Sequence, residues 1–361
     1  MNPTWQSHLL SCNAVIEDGR VVNYGNAIAE LGSMRSGTVL ADLSHFGLIH
    51  FTGDDAQSFL QGQLSCDVRA TTPSTGAGAA LYGSYCNPKG RMLASFLIWH
   101  DSGGYVMQLP SALQAAIQNR LSMYVLRAKV KLADRGDALV RLGLAGRHAE
   151  ALVREILGRV PDSPLEVIHG QQGSAIRLAQ ERFELVIVSE WAPAVWERLS
   201  QHVMPVGASC WDWLEIKSGI PMITAATQEQ FIPQMVNLEV IGGVSFQKGC
   251  YPGQEIVART QYLGKIKRRM FLASIQPMAA SLANLATRIA PVIAGDELFS
   301  DDMGEQSSGM IVNAAPAPES EGKFDVLAVI QTSSVEAGKI HWKSLDGPPL
   351  EIMPLPYLMN N

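Results

Sequence analysis

The densest run of reactive chemistry in the 361-residue sequence is Lys248-Gly249-Cys250-Tyr251-Pro252-Gly253-Gln254-Glu255-Ile256-Val257-Ala258-Arg259. Only a thiolate is an effective sulfur nucleophile or metal ligand, and a nearby ammonium together with free backbone N–H groups favours that form. Lys248, two residues before Cys250, is the ammonium that the spacing offers. Tyr251-Pro252-Gly253-Gln254 has the composition of a type II turn, in which proline fixes φ at the second position and glycine takes the positive φ of the third. Such a turn presents Cys250 and Tyr251, and it makes Cys250 and Lys248 the candidate catalytic pair. The remaining thiols, Cys12, Cys66, Cys86 and Cys210, stand far apart with no C-x-x-C pair. They predict reduced, packed side chains rather than a disulfide framework, a zinc site or a cluster site. The eight histidines are equally scattered, and no metal site is predicted.

Charge singles out the same region. The chain carries a net −6, yet residues 248–269 hold six cations (Lys248, Arg259, Lys265, Lys267, Arg268, Arg269) against Glu255 alone, a local +5. Positive potential concentrated in an acidic protein is suited to holding an anion.

The elements that must position these residues are short strands and helices in antiparallel succession. Residues 46–51 predict a strand, after which Thr52-Gly53-Asp54-Asp55 offers a turn and an N-cap to a helix with Ala56, Phe59, Leu60 and Leu64 on one face. A polar loop over 71–78 leads to apolar runs 79–86 and 91–100, joined as a hairpin by Asn87-Pro88-Lys89-Gly90. A strand over 105–109, a helix from Ser111 and a strand over 127–132 follow. The theme repeats with a strand over 138–144, a helix over 148–160, a hairpin of 175–179 and 183–189 about Gln180-Glu181-Arg182, and a helix over 193–203. Residues 211–217 predict a helix stopped by Ser218-Gly219-Ile220-Pro221. From Arg269 onward only strands are expected, at 270–275, 291–299, 310–312 and 324–331, with 314–322 as a low-complexity surface loop. The fold class predicted is α+β, with mainly antiparallel layers closed by a small C-terminal β-barrel.

With 47% hydrophobic and 17% charged residues, the chain has material for two or three packed domains. No stretch reaches the roughly 18 apolar residues of a membrane span. The N-terminus lacks a basic segment ahead of an apolar core, so no signal peptide is read and a cytoplasmic location is expected.

The run K-G-C-Y-x-G-Q-E followed by a basic stretch resembles the signature of the YgfZ family, relatives of the glycine-cleavage T-protein. Ala41-Asp42-Leu43-Ser44-His45-Phe46-Gly47, Thr52-Gly53-Asp54-Asp55-Ala56 and Phe59-Leu60-Gln61-Gly62-Gln63-Leu64 resemble the opening shared by both families. Tyr85-Cys86-Asn87-Pro88-Lys89-Gly90-Arg91, Gly219-Ile220-Pro221, Phe231-Ile232-Pro233-Gln234 and Pro354-Leu355-Pro356-Tyr357 extend the likeness to YgfZ over most of the chain. The resemblance implies a ring of two α+β domains and a C-terminal barrel. The first domain is then discontinuous, 1–49 and 135–250, the second is 51–134, and the barrel occupies 265–361.

It further implies tetrahydrofolate bound near the centre, with iron–sulfur client enzymes or assembly factors as partners, including enzymes that thiolate tRNA. The family's folate-flanking aromatic positions fall on Phe46, where a larger Trp can occur, and on Trp211. Tyr251, Gln254, Glu255 and Arg259 of the motif join them as cofactor-binding candidates. One departure bears on activity. True aminomethyltransferases carry an acidic pair after the hairpin turn, whereas residues 87–99 contain no Asp or Glu, and the acid expected before the G-x-P turn is Lys217, with Glu215 two residues earlier. Without a placed carboxylate, the proton and charge of one-carbon transfer have no manager. The reading that follows is a tetrahydrofolate-binding accessory protein in which Cys250 and Lys248 act on a thiol, persulfide or cluster step. Its alternatives are a folate-dependent aminomethyl transferase and a direct tRNA binder using residues 259–269.

Overall fold

The computed structural model describes residues 1–72, 78–101, 103–277 and 291–359. Most of the loop expected over 71–78 therefore lies outside the described residues. Eleven strands hydrogen-bond edge to edge in one sheet. Their order is Met204–Val206, Val39–Asp42, Leu139–Ala145, Arg182–Val188, Gly173–Ala179, Glu166–His169, Gly78–Cys86, Met92–Asp101, Gly104–Pro110, Phe46–Thr52 and Lys131–Asp134. Every pairing is antiparallel except that of Met204–Val206 with Val39–Asp42. The two halves meet at a two-residue seam, Glu166 opposite Ala79 and Val167 opposite Gly78.

Strand alternation decides which side chains reach the centre. In Arg182–Val188, Phe183, Leu185 and Ile187 face a core closed by helices Pro3–Ser11, Ala149–Leu157 and Ala192–Ser200. Arg182, Glu184 and Val186 are left for the opposite face. In the other half, Ile98, Met107 and Ile49 pack with residues of helices Ala56–Gln61 and Ser111–Ser122. Leu97, Trp99, Val106 and Leu48 then turn inward and pack with Val167, Ile176 and Val186 across the seam.

Helix Ala208–Lys217 and the segment after it lie over this inner face. Residues 218–253 form almost no regular structure, so their backbone groups are satisfied by side chains and neighbouring strands. Ser95 Oγ donates to Pro221 O at 3.0 Å and accepts from Ile223 N at 2.9 Å, while Gln228 Nε2 donates to Leu93 O at 2.7 Å.

The C-terminal part is a curled, six-stranded antiparallel half-barrel sheet, in the order Ile340–Trp342, Glu297–Ser300, Gly309–Pro316, Phe324–Gln331, Arg268–Ile275, Leu350–Met353. The small C-terminal β-barrel expected from the sequence is met in coarser form, as this half-barrel. Three local expectations also change. Ala314, Ala315 and Pro316 extend a strand that pairs with Phe324–Val326, so the expected loop is confined to residues 317–323. Helix Thr332–Ala337 interrupts what was expected to be strands only. The strand expected over 291–299 is confined to Glu297–Ser300. No helix among the described residues is long and apolar enough to cross a membrane.

Candidate functional site

Where the inner face of the sheet meets the segment after helix Ala208–Lys217, a cavity opens. Its apolar walls include Phe46, Leu97, Leu109 and Pro221, and its polar groups include Tyr82, Gln108, Glu184 and Glu215. Glu184 is the polar centre. Gln108 Nε2 donates to its Oε2 at 3.0 Å, while Oε1 is buried with no hydrogen-bond partner. Burial pushes the Glu184 carboxyl up to about 7, against the pull of Gln108, Arg141 and Arg182. Burial raises Glu215 as well, opposed by Arg182, whose Nη1 lies 3.5 Å away. Leaving a buried acceptor unpaired costs on the order of 1–3 kcal/mol, so the cavity is set to accept a ligand's N–H donor.

Phe46 lines this cavity, and Trp211 does not. Trp211 is 1% exposed and packs in the same apolar cluster as Phe46, Val39 and Cys210. A Cβ on Gly143 would fall 2.4 Å from its ring, and the Arg182 guanidinium lies 5.6 Å from its ring centroid. Trp211 is thus a buried wall behind Phe46 and Arg182, not an open stacking face.

The Cys250 turn has the geometry its composition predicts. Gly253 takes φ +80 and ψ 0, and Gln254 N donates to Tyr251 O at 3.1 Å. Cys250 is exposed, whereas Tyr251 is buried. Lys248 does a different job from the one expected of it. Its buried Nζ donates to Leu64 O at 2.6 Å and Cys66 O at 2.9 Å, and lies 5.3 Å from the centroid of the Tyr251 ring. Desolvation lowers its pKa to about 8. The ammonium is committed to those carbonyls and fixes the chain entering the turn.

The other motif residues lie outside the cavity. Residues 254–262 form helix Gln254–Tyr262, and Val257 is its buried residue. Glu255 and Arg259 pair with each other at 3.0 Å on its solvent side. Within the +5 segment, Arg269 is taken up by Glu239 and by Gln234 O. The sequence reading missed Tyr82, Gln108 and Glu184 as cavity groups. The available signal was a carboxylate inside an apolar strand: Glu184 stands between Phe183 and Leu185 in R-F-E-L-V-I-V. The Gly219-Ile220-Pro221 and Pro354-Leu355-Pro356-Tyr357 motifs meet, since Tyr357 Oη donates to Gly219 O at 3.0 Å.

Comparison with known proteins adds three findings. The GCVT N-terminal domain family matches residues 19–248. The tRNA-modifying protein YgfZ of Colwellia psychrerythraea strain 34H is 36% identical over 241 residues, covering 66% of this chain and 72% of that protein. The glycine cleavage system aminomethyltransferase T of Bartonella henselae superposes with a TM-score of 0.73 at 18% identity, over 99% of this chain and 97% of that one.

Proposed function

This chain belongs to the YgfZ family and carries the GCVT N-terminal domain, and from that membership we propose that it is a tetrahydrofolate-binding accessory protein supporting iron–sulfur cluster assembly or repair and tRNA modification by iron–sulfur enzymes. The observation that carries the folate half is the partnerless, buried Oε1 of Glu184 in an apolar cavity. A pterin is flat and apolar on its faces, and its edge presents adjacent N–H donors that pair with a carboxylate. In this reading Glu184 and Gln108 hold that edge, Phe46 and Leu97 cover the ring, and Tyr82 and Glu215 line the rest of the cavity. Bound tetrahydrofolate supplies a one-carbon carrier. The protein's own residues bind and orient it and exclude water.

Cys250 is the exposed thiol of the family motif, and the accessory role is assigned to it. Folding and folate affinity should survive Cys250→Ala, while tRNA thiolation in cells lacking the native protein should not be restored. Cys250→Ser should fail as well, because a hydroxyl supplies no thiolate near neutral pH. Full complementation by Cys250→Ala would remove the thiol from the function.

The aminomethyl transferase reading gains one observation: the carboxylates absent from residues 87–99 are present in the cavity as Glu184 and Glu215. Purified protein given tetrahydrofolate and an aminomethylated lipoyl carrier separates the two. No transfer supports the accessory role, and turnover at ordinary enzyme rates replaces it.

A further inference from the structure

The basic residues that converge are not those adjacent in sequence. An open cleft of about 660 Å³ is lined by Lys89 and Arg91 from the hairpin turn, Arg120 from helix Ser111–Ser122 and Arg268 from the start of strand Arg268–Ile275. None of the four is salt-bridged among the described residues. The one acid in the lining, Glu229, accepts from Asn87 Nδ2 at 3.0 Å. Arg91 Nη1 donates to Gln230 O at 2.5 Å. The cleft therefore carries a local +3 in a chain of net −6.

This cleft borders the Cys250 turn. A Cβ on Gly253 would lie 2.5 Å from Asn87 O and 2.6 Å from Gly90 Cα, so the two turns pack backbone to backbone. On its other side the cleft shares Arg120 and Glu229 with a groove lined by Leu93, Ile117 and Met123, and Met123 and the neighbouring Tyr124 are exposed.

We propose that this cleft binds the sugar–phosphate backbone of a single-stranded RNA and holds it beside Cys250. A pocket for one phosphate or nucleotide gathers buried donors around a point. Here the cations come from three separate parts of the fold, Lys89 and Arg268 are exposed, and the open cleft they line continues through Arg120 and Glu229 into the groove of Leu93, Ile117 and Met123. That is the arrangement of an electrostatic track for a nucleic-acid backbone. The proposal rests on the assignment of Cys250 above only for its meaning, not for its geometry.

Fluorescence anisotropy with a short fluorescein-labelled single-stranded RNA, without folate, tests it. Each phosphate contact contributes about −0.7 to the slope of log K against log salt, so four cations predict a slope near −3, or roughly a fifty-fold loss of affinity from about 50 to about 200 mM salt. Lys89→Ser/Arg268→Ser, which changes exposed side chains only, should halve that slope and leave folate binding at wild-type strength. Arg147→Ser/Lys339→Ser, outside the cleft, should change neither. RNA should also slow iodoacetamide alkylation of Cys250, read by peptide mass spectrometry. The proposal is overturned by no RNA binding, by equal losses in the two double variants, by displacement of RNA with inorganic tripolyphosphate at equal phosphate concentration, or by Cys250 alkylation that RNA leaves unchanged. Because folate is titrated separately on the same variants, failure here and failure of the folate reading are distinguishable.

Discussion

A carboxylate with one partner and an unpaired oxygen is a cost to the ligand-free protein, and Glu184 bears that cost where a ligand would relieve it. Its carboxyl ionises near 4.5 when solvated and about 7 in the fold. Folding therefore takes up a proton between those values, and the contribution of Glu184 to stability declines as pH rises from about 4.5 to 7 and stays low above. Glu184→Gln should stabilise the ligand-free protein by about 1–3 kcal/mol at pH 8 and by little at pH 5, read by chemical denaturation. A gain that is the same at both pH values would assign the effect to packing. Lys248 and Cys250 should separate in the same assay. Lys248→Met leaves the Leu64 and Cys66 carbonyls without their donor and should lower stability by about 1–3 kcal/mol, whereas Cys250→Ala should lie within about 0.5 kcal/mol of wild type. Equal losses would return the thiol to a packing role.

Among the elements, the strands and helices whose apolar spacing is strict were legible from the residues: the hairpin about 87–90, the helix from Ser111, and the strands around 139–145 and 324–331. The Tyr251-Pro252-Gly253-Gln254 turn was legible because two residues with special φ requirements fixed its type. Helix Gln254–Tyr262 was not, since it buries only Val257 and shows no apolar stripe. Residue type marks Trp211 as an aromatic face but not what covers it, and Gly143 and Arg182 cover this one. Trp211→Ala should accordingly cost about 3–5 kcal/mol of stability, with any loss of folate affinity following from the loosened wall. A wild-type melting temperature with weakened folate binding would restore Trp211 to direct contact. At the turn, Gly253→Ala meets both a positive φ and the Asn87 carbonyl, so it should destabilise the fold and change Cys250 alkylation together.

For the whole molecule, the mixed α/β class followed from short alternating elements, but the continuous eleven-stranded sheet did not. Its seam is two residue pairs between Glu166–His169 and Gly78–Cys86, and no strand is predicted from the sequence over Glu166–His169. A strand of four residues carries too little periodicity to be read, yet this one brings the two inner faces together and so builds the cavity. The polar groups of that cavity come from separate parts of the chain: Tyr82, Gln108 and Glu184 from three strands, Glu215 from helix Ala208–Lys217. No local motif could announce them. The division into 1–49 with 135–250, 51–134 and 265–361 is proposed as the folding organisation, and because residue 50 lies inside the paired, buried strand Phe46–Thr52, limited proteolysis is expected to cut first at the exposed boundary ahead of residue 265.

The central claim is that Glu184, ionised, receives the pterin edge of tetrahydrofolate, and calorimetric titration of tetrahydrofolate from about pH 5.5 to about pH 8.5 tests it most directly. Binding that requires the carboxylate must expel its proton below the ligand-free pKa of about 7. The predicted result is affinity constant above pH 7.5 and falling toward tenfold per pH unit below 6.5, with proton release in that range, and Glu184→Gln weak and independent of pH throughout. Wild-type affinity in Glu184→Gln, or a wild-type affinity that does not change across this range, would contradict the account.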